Sequence, residues 1–218
     1  MEYKIRKYEA RDRARVRWIC CETGFMGDPM EVYFEGREAF ADMWSLYWTD
    51  YEPESALVAE ADGQVVGYLL GCLDTAKQER VFNKEIRPKL FGSAMRSGVF
   101  FHLKNWRYLY RVARSSRRGE FNEPRDRVHA EYPAHLHTNI APAEYRGHGM
   151  GKALMLEYFK YLREHESPGV HLVTTSRNRL ALKLYYGMGF QDLFRDPLTC
   201  YDHVTDEPLE KIGMGMKL

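Results

Sequence analysis

The sequence predicts a mixed α/β fold: a central β-sheet of about six or seven strands flanked by helices. Three observations carry this. Short runs rich in aliphatic and aromatic residues are bounded by Gly, Pro and Asp. After residue 134 such runs alternate with segments of helical periodicity. Asp62-Gly63 lies between two apolar runs, a strong hairpin signal.

In chain order, Tyr3 to Tyr8 reads as a first strand. Arg11 to Cys21 reads as a helix, with Ala14, Val16, Trp18 and Ile19 set among charges and Gly24 beyond its end. Gly36 to Trp48 reads as a second helix, carrying Phe40, Met43, Trp44 and Tyr47 and followed by Pro53. Residues 56–61 and 64–73 are the hairpin strands. From Thr75 to about residue 130 the chain changes character and predicts a helical insertion. Within it, 93–118 fits one long amphipathic helix. Val99, Leu103, Trp106 and Tyr110 share one face; Lys104, Arg107, Arg111, Arg114 and Arg118 share another. Residues 119–126 read as a loop. The remainder alternates: strand 134–141, helix 151–165, strand 170–175, helix 178–188, and terminal strands over 189–194 and 209–216. No repeat, low-complexity tract or linker divides the chain, so 1–218 is expected to form one domain.

Bulk composition excludes several classes. The chain has 218 residues, 44% of them hydrophobic, enough for a core without disulfide or metal staples. A net charge of +1 gives no chain-wide case for nucleic acid or a membrane, and neither is expected as a partner. Cys20, Cys21, Cys72 and Cys200 form no C-x-x-C, so buried free thiols are expected rather than zinc or disulfides. The N-terminal residues contain no apolar signal segment, and the apolar run 65–73 is too short to span a bilayer. A cytoplasmic location is the expectation.

The segment Arg146-Gly147-His148-Gly149-Met150-Gly151 lies between a predicted strand and a predicted helix. A helix start offers N–H groups without internal partners and a positive dipole end, and glycines let a phosphate approach them. The spacing fits neither a P-loop nor a dinucleotide fingerprint. By itself it reads equally as an anion cradle or as a plain loop. A second motif follows: Asn178, Ala181, Leu184, Tyr185, Gly189 and Phe190, a helix with a cap at one end and a glycine stop at the other.

Together, R-x-x-G-x-G and N-x-x-A-x-x-L-Y-x-x-x-G-F resemble the GNAT family of acyl-CoA-dependent N-acyltransferases. The resemblance runs over nearly the whole chain, and the N-terminal half only supports it. Ile19 to Gly24, Tyr51-Glu52-Pro53 and the long insertion resemble the branch related to acetyltransferase-like domains of O-GlcNAc hydrolases. The resemblance implies a GNAT-like fold, acetyl-CoA as cofactor, and acetyl transfer to a primary amine by direct attack on the thioester. It implies that Arg146, Gly147, His148, Gly149, Met150, Gly151 and Lys152 cradle the pyrophosphate. It implies that Asn139, Ile140 and Ala141 pair with the pantetheine arm, with Asn178 nearby. Tyr185 is then the general acid to the departing thiolate.

Two departures stand out. Ala143-Glu144-Tyr145 separate Pro142 from Arg146, one residue more than the commoner spacing, and are expected either to bulge the loop or to shift one N–H contact. Asn139 replaces an Asp common in the hydrolase-related branch, and an amide takes no proton. His135 and His137, on one side of their strand, are the candidate bases, with Glu144 and Asp74 behind them. The alternative is a non-catalytic acetyl-CoA-binding or protein-interaction module. The basic stripe reads first as a solvated helix face and second as recognition of an acidic acceptor, with nucleic-acid binding or contact to the coenzyme's 3′-phosphate as further readings. Its aromatic neighbours, Phe100, Phe101, Trp106, Tyr108 and Tyr110, are expected to pack onto the core or a second subunit. The acceptor is expected to be a small-molecule or peptide amine, no metal is expected, and a homodimer is an open expectation.

Overall fold

A computed structural model describes residues 1–122 and 124–218. One seven-stranded sheet organises them. Its strands are β1 (Lys4–Lys7), β2 (Ala56–Ala61), β3 (Gln64–Cys72), β4 (Ala134–Ile140), β5 (Gly169–Thr175), β6 (Gln191–Pro197) and β7 (Glu210–Lys217), in spatial order β1-β2-β3-β4-β5-β7-β6. Only β4 and β5 run parallel; every other neighbour pair is antiparallel. The β2–β3 turn places Asp62 at φ 51° and Gly63 at φ 74°, the left-handed pair that a two-residue hairpin of this hand requires.

Helices cover both faces. On one, α1 (Arg13–Glu22) and α2 (Arg37–Asp50) bury Val16, Ile19, Cys20 and Trp48 against Val58, Tyr68, Leu70 and Cys72. On the other, α7 (Met150–Glu164) buries Leu154, Met155, Tyr158 and Leu162 against Leu57, Leu69, Leu136 and Val170. The α8 helix (Arg179–Gly187) adds Tyr185 to that side. All four cysteines are buried free thiols. Burial pushes Cys20 and Cys72 up to about 12, which leaves them as inert packing groups.

The insertion between β3 and β4 departs from expectation only in its internal layout. It is helical, as expected, and begins with a continuous rod, α3 (Thr75–Val81) through α4 (Arg87–Arg96). Its middle widens to a π-turn over Phe82–Ile86, where Pro88 supplies no N–H and crowds the carbonyl one turn back. The single helix expected over 93–118 is broken. Gly98 at φ 69° ends the rod, a short turn covers Val99–Phe101, and α5 runs from Leu103 to Arg117. The expected apolar face also points the wrong way. Val99 is buried, but Leu103, Trp106 and Tyr110 face solvent, as do Phe101 and Leu109. Of the aromatic residues expected to pack this helix, Tyr108 does so, against Tyr33 and Tyr201. The expected 119–126 loop gives way to α6 (Arg125–Glu131) from Arg125 onward; its position 123 lies outside the described residues.

Tyr158 ties two neighbouring strands together. Its hydroxyl donates to the carbonyls of Cys72 and His135 at 3.0 and 3.2 Å, so one α7 side chain spans β3 and β4. A Cβ on Gly71 would sit 2.3 Å from the Tyr158 ring. Gly71→Ala is therefore expected to cost about 1–3 kcal/mol of stability by overpacking. Denaturant unfolding measures this, and an unchanged midpoint would contradict the assigned contact.

Candidate functional site

The central feature is a break in pairing. The β4 strand keeps β3 as partner along its whole length, from His135 opposite Cys72 to Ile140 opposite Gly67. Its other neighbour, β5, is in register only at Ala134–Val170 and His135–His171. Beyond that the two strands splay. Strand residues send both peptide groups to one edge and alternate along the chain. The Ala141 N–H bonds the Val66 carbonyl at 2.9 Å, on the β3 side. Thr138 and Ile140 therefore turn toward the opening, while Asn139 turns its peptide to β3. Asn139 donates its side-chain amide to the Tyr68 hydroxyl at 2.7 Å. The Ile140 carbonyl accepts from Arg146 Nε at 2.9 Å.

A second set of open donors lies where β4 ends. Arg146 N–H bonds the Ala143 carbonyl, and the next backbone bond is Ala153 N–H to the Gly149 carbonyl. Between them, the N–H groups of Gly147 through Lys152 take no partner among the described residues. Gly149, at φ 86°, caps α7 in the left-handed region and aligns these groups. Gly151 lets the helix start close in: a Cβ there would lie 3.3 Å from Leu184 and 4.0 Å from Ile140. The extra residue before Arg146 makes no irregular bulge; Ala143–Tyr145 form a tight turn, and the Tyr145 hydroxyl donates to Asp62 at 3.0 Å. His148 and Lys152 are exposed, His148 Nε2 lying 3.2 Å from the Glu144 carbonyl.

The Arg146 side chain faces the wall rather than solvent. Besides Ile140 it donates to the Gly27 carbonyl at 2.7 Å. From the β5 side, Arg177 reaches Asp28 at 3.5 Å and lies over the Phe25 ring. The turn at residues 25–28 is thus tied to both sides of the splay, a strap that no sequence motif announced.

On the α7 side, Tyr185 is buried beside Phe190, and its hydroxyl bonds no described residue. Burial pushes the phenol up to about 12, so it carries its proton at neutral pH. Asn178 stands at the α8 start, but its side chain makes no capping bond there. On the α1–α2 side, His137 meets Trp48 edge-on at 4.7 Å and Tyr68 at 5.6 Å. Its Nε2 is buried without a partner. His135 lies 6.3 Å from His137 and 5.0 Å from His171, which in turn stacks on His129. Sequence reasoning found the first two histidines and missed the others, because strand register brings His171 beside His135 and the packing of α6 brings His129 onto His171. Of the secondary candidate bases, Asp74 caps α3 through the Lys77 N–H, and Glu144 is exposed.

Comparison with known proteins bears on the fold that carries this site. Residues 104–190 match the sequence profile described as the acetyltransferase (GNAT) family. The chain is similar over its full length to the crystal structure of SsHAT, with 25% identity, 98% of that chain covered and a TM-score of 0.73. At the level of fold it is similar to yncA from Salmonella typhimurium, a putative acetyltransferase solved with acetyl-CoA, with 15% identity, coverage of 100% and 95%, and a TM-score of 0.60. A phosphinothricin acetyltransferase from Sinorhizobium meliloti, solved with AcCoA, gives 16% identity, coverage of 100% and 89%, and a TM-score of 0.58.

Burial holds the His137 imidazole down at about 4, and holds His135 well below its ordinary value, with the neighbouring histidines adding to the effect. The unfolded chain takes up these protons near pH 6.5. Stability is therefore full above about pH 6.5 and falls as pH drops toward 4. His137→Phe, which keeps a ring against Trp48, is expected to lose less stability between pH 7 and pH 5 than the parent. Urea midpoints at the two pH values test this; an equal loss would count against a buried neutral His137.

Proposed function

We propose that this chain, a member of the acetyltransferase (GNAT) family, transfers an acetyl group from acetyl-CoA to a primary amine by direct attack on the thioester. The observation that carries the reading is the open β4 edge running into the unpartnered N–H groups of Gly147 to Lys152. An extended, amide-bearing arm fits the first, and a pyrophosphate fits the second. Bound there, acetyl-CoA supplies an acetyl group already activated as a thioester.

The chain's own residues supply the rest. Gly147, Gly149 and Gly151 admit phosphate oxygens to the α7 start. Thr138 and Ile140 hold the arm along β4, and Asn178 flanks it across the splay. The strap at 25–28 keeps bulk water from the opening. Tyr185 holds a proton at its hydroxyl for the leaving sulfur. His137 Nε2, buried without a partner, and His135 beside it are the candidate acceptors of the amine proton, weak ones because burial disfavours the charged form of both. Donor and acceptor belong to opposite faces of the sheet, with the open edge between them. Asn139, committed to Tyr68, serves as a positioning residue. Ile19 to Gly24 and the α3–α6 insertion support a place in the branch related to O-GlcNAc hydrolase-associated domains. A small-molecule or peptide amine acceptor, a cytoplasmic setting and a single domain over 1–218 complete the reading.

Tyr185→Phe is expected to lower kcat about 10²–10⁴-fold while leaving the acetyl-CoA Kd unchanged. Calorimetry with acetyl-CoA and an assay over a panel of small amines and peptides check both halves. Absence of acetyl-CoA binding sinks the reading. Binding without transfer to any amine favours the non-catalytic alternative.

Gly149→Val removes the left-handed cap at φ 86° and is expected to weaken acetyl-CoA binding at least about tenfold. Titration calorimetry reads this directly; unchanged affinity would show that the α7 start does not hold the ligand.

A further inference from the structure

The α5 helix is amphipathic in reverse. Its inward side is polar: Asn105, 1% exposed, accepts from the Glu35 N–H and donates to the carbonyls of Glu35 and Val99. Lys104 reaches the Glu31 carbonyl and the Glu35 carboxylate, and Ser115 meets Thr199. Its outward side carries Leu103, Trp106 and Tyr110, at 86%, 52% and 68% exposure. Phe101, Phe91 and Met95 extend the surface onto the preceding turn and α4, at 87%, 66% and 54%. Phe91, Phe100 and Trp106 follow one another at ring separations of 6.0 and 6.1 Å, which joins the two helices into one patch. A contiguous apolar patch of this kind marks a docking surface.

Charge identifies what docks. Residues 86–119 hold nine Lys and Arg and no Asp or Glu, so the rest of the chain carries −8 against the total of +1. Among the described residues, Arg87, Arg96, Arg107, Arg111, Arg114 and Arg117 make no ion pair. Arg107, Arg114 and Arg117 share the exposed side of α5 with Leu103 and Tyr110. Two copies of this face would set cations against cations, which disfavours two-fold pairing. Leu103 and Met95 have no flat face on which a base stacks, which disfavours nucleic acid. Apolar side chains led by Phe and Leu, a Trp beside them and arginines around them are the composition of an interfacial helix on anionic lipid. No described helix is long and apolar enough to cross a membrane, so the contact is peripheral.

We propose that the α4–α5 face docks the protein on the surface of a membrane rich in anionic lipid, with Phe91, Phe101, Leu103 and Trp106 at the acyl boundary and Arg107, Arg114 and Arg117 among the headgroups. The reading is independent of the acetyl-transfer chemistry. Co-sedimentation of the full chain with vesicles tests it, comparing pure phosphatidylcholine with vesicles containing about one-third phosphatidylglycerol. Binding is expected only to the anionic vesicles, and is expected to fall steeply between about 0.05 and 0.5 M salt. Phe101→Ser with Leu103→Ser is expected to abolish it. Arg107→Gln, Arg114→Gln and Arg117→Gln together should weaken it roughly a hundredfold. These side chains are exposed, and matching thermal melts of the variants confirm that the fold is kept. No vesicle binding at low salt overturns the proposal, as does equal binding to neutral vesicles or binding untouched by the Phe101/Leu103 pair. A single-stranded oligonucleotide bound in place of vesicles, or a stable dimer that shields Trp106, overturns it in favour of those occupants.

Discussion

Everything around the site follows from one interruption: β4 and β5 stop pairing after His135. A buried peptide group without a partner is costly, so an open edge inside a sheet persists only where something else holds both strands in place. Here β3 pairs β4 from its outer side along the full strand, and β7 pairs β5 likewise. The Tyr158 hydroxyl locks β3 to β4 at the point where the splay begins. The wedge is therefore built into the framework, and the helices on either face have only to line it.

The parts of this arrangement legible in the sequence are those fixed locally. The hairpin is written in Asp62-Gly63, the α7 start in Gly149 and Gly151, and the α8 stop in Gly189, at φ 96°. The order of strands and helices after residue 134 was readable for the same reason. What lay outside local reach was decided by tertiary partners. The pattern over 93–118 was periodic, but Gly98 broke it and the Asn105–Glu35 bonds turned α5 about. Periodicity gives a face; it does not say which face meets the protein. The near-neutral total charge likewise concealed a segment of one sign.

The site was half legible. The residues proposed to bind the coenzyme and to donate a proton, Tyr185 and the glycines among them, could be placed by motif. Strand register and the packing of α6 could not be read, so His171 beside His135 and His129 beyond it went unseen, as did the side from which Asn139 is held. Arg146 was read as part of the cradle, yet its guanidinium bonds the wall at Ile140 and the strap at Gly27.

That bond gives the open edge a polarity. With one lone pair of the Ile140 carbonyl engaged by Arg146, position 140 offers an incoming chain a donor and a half-used acceptor, while Thr138 offers both in full. The guanidinium thus shifts the balance of the edge toward donors at the end nearest the glycine turn, where a ligand's acceptors are better matched than its donors.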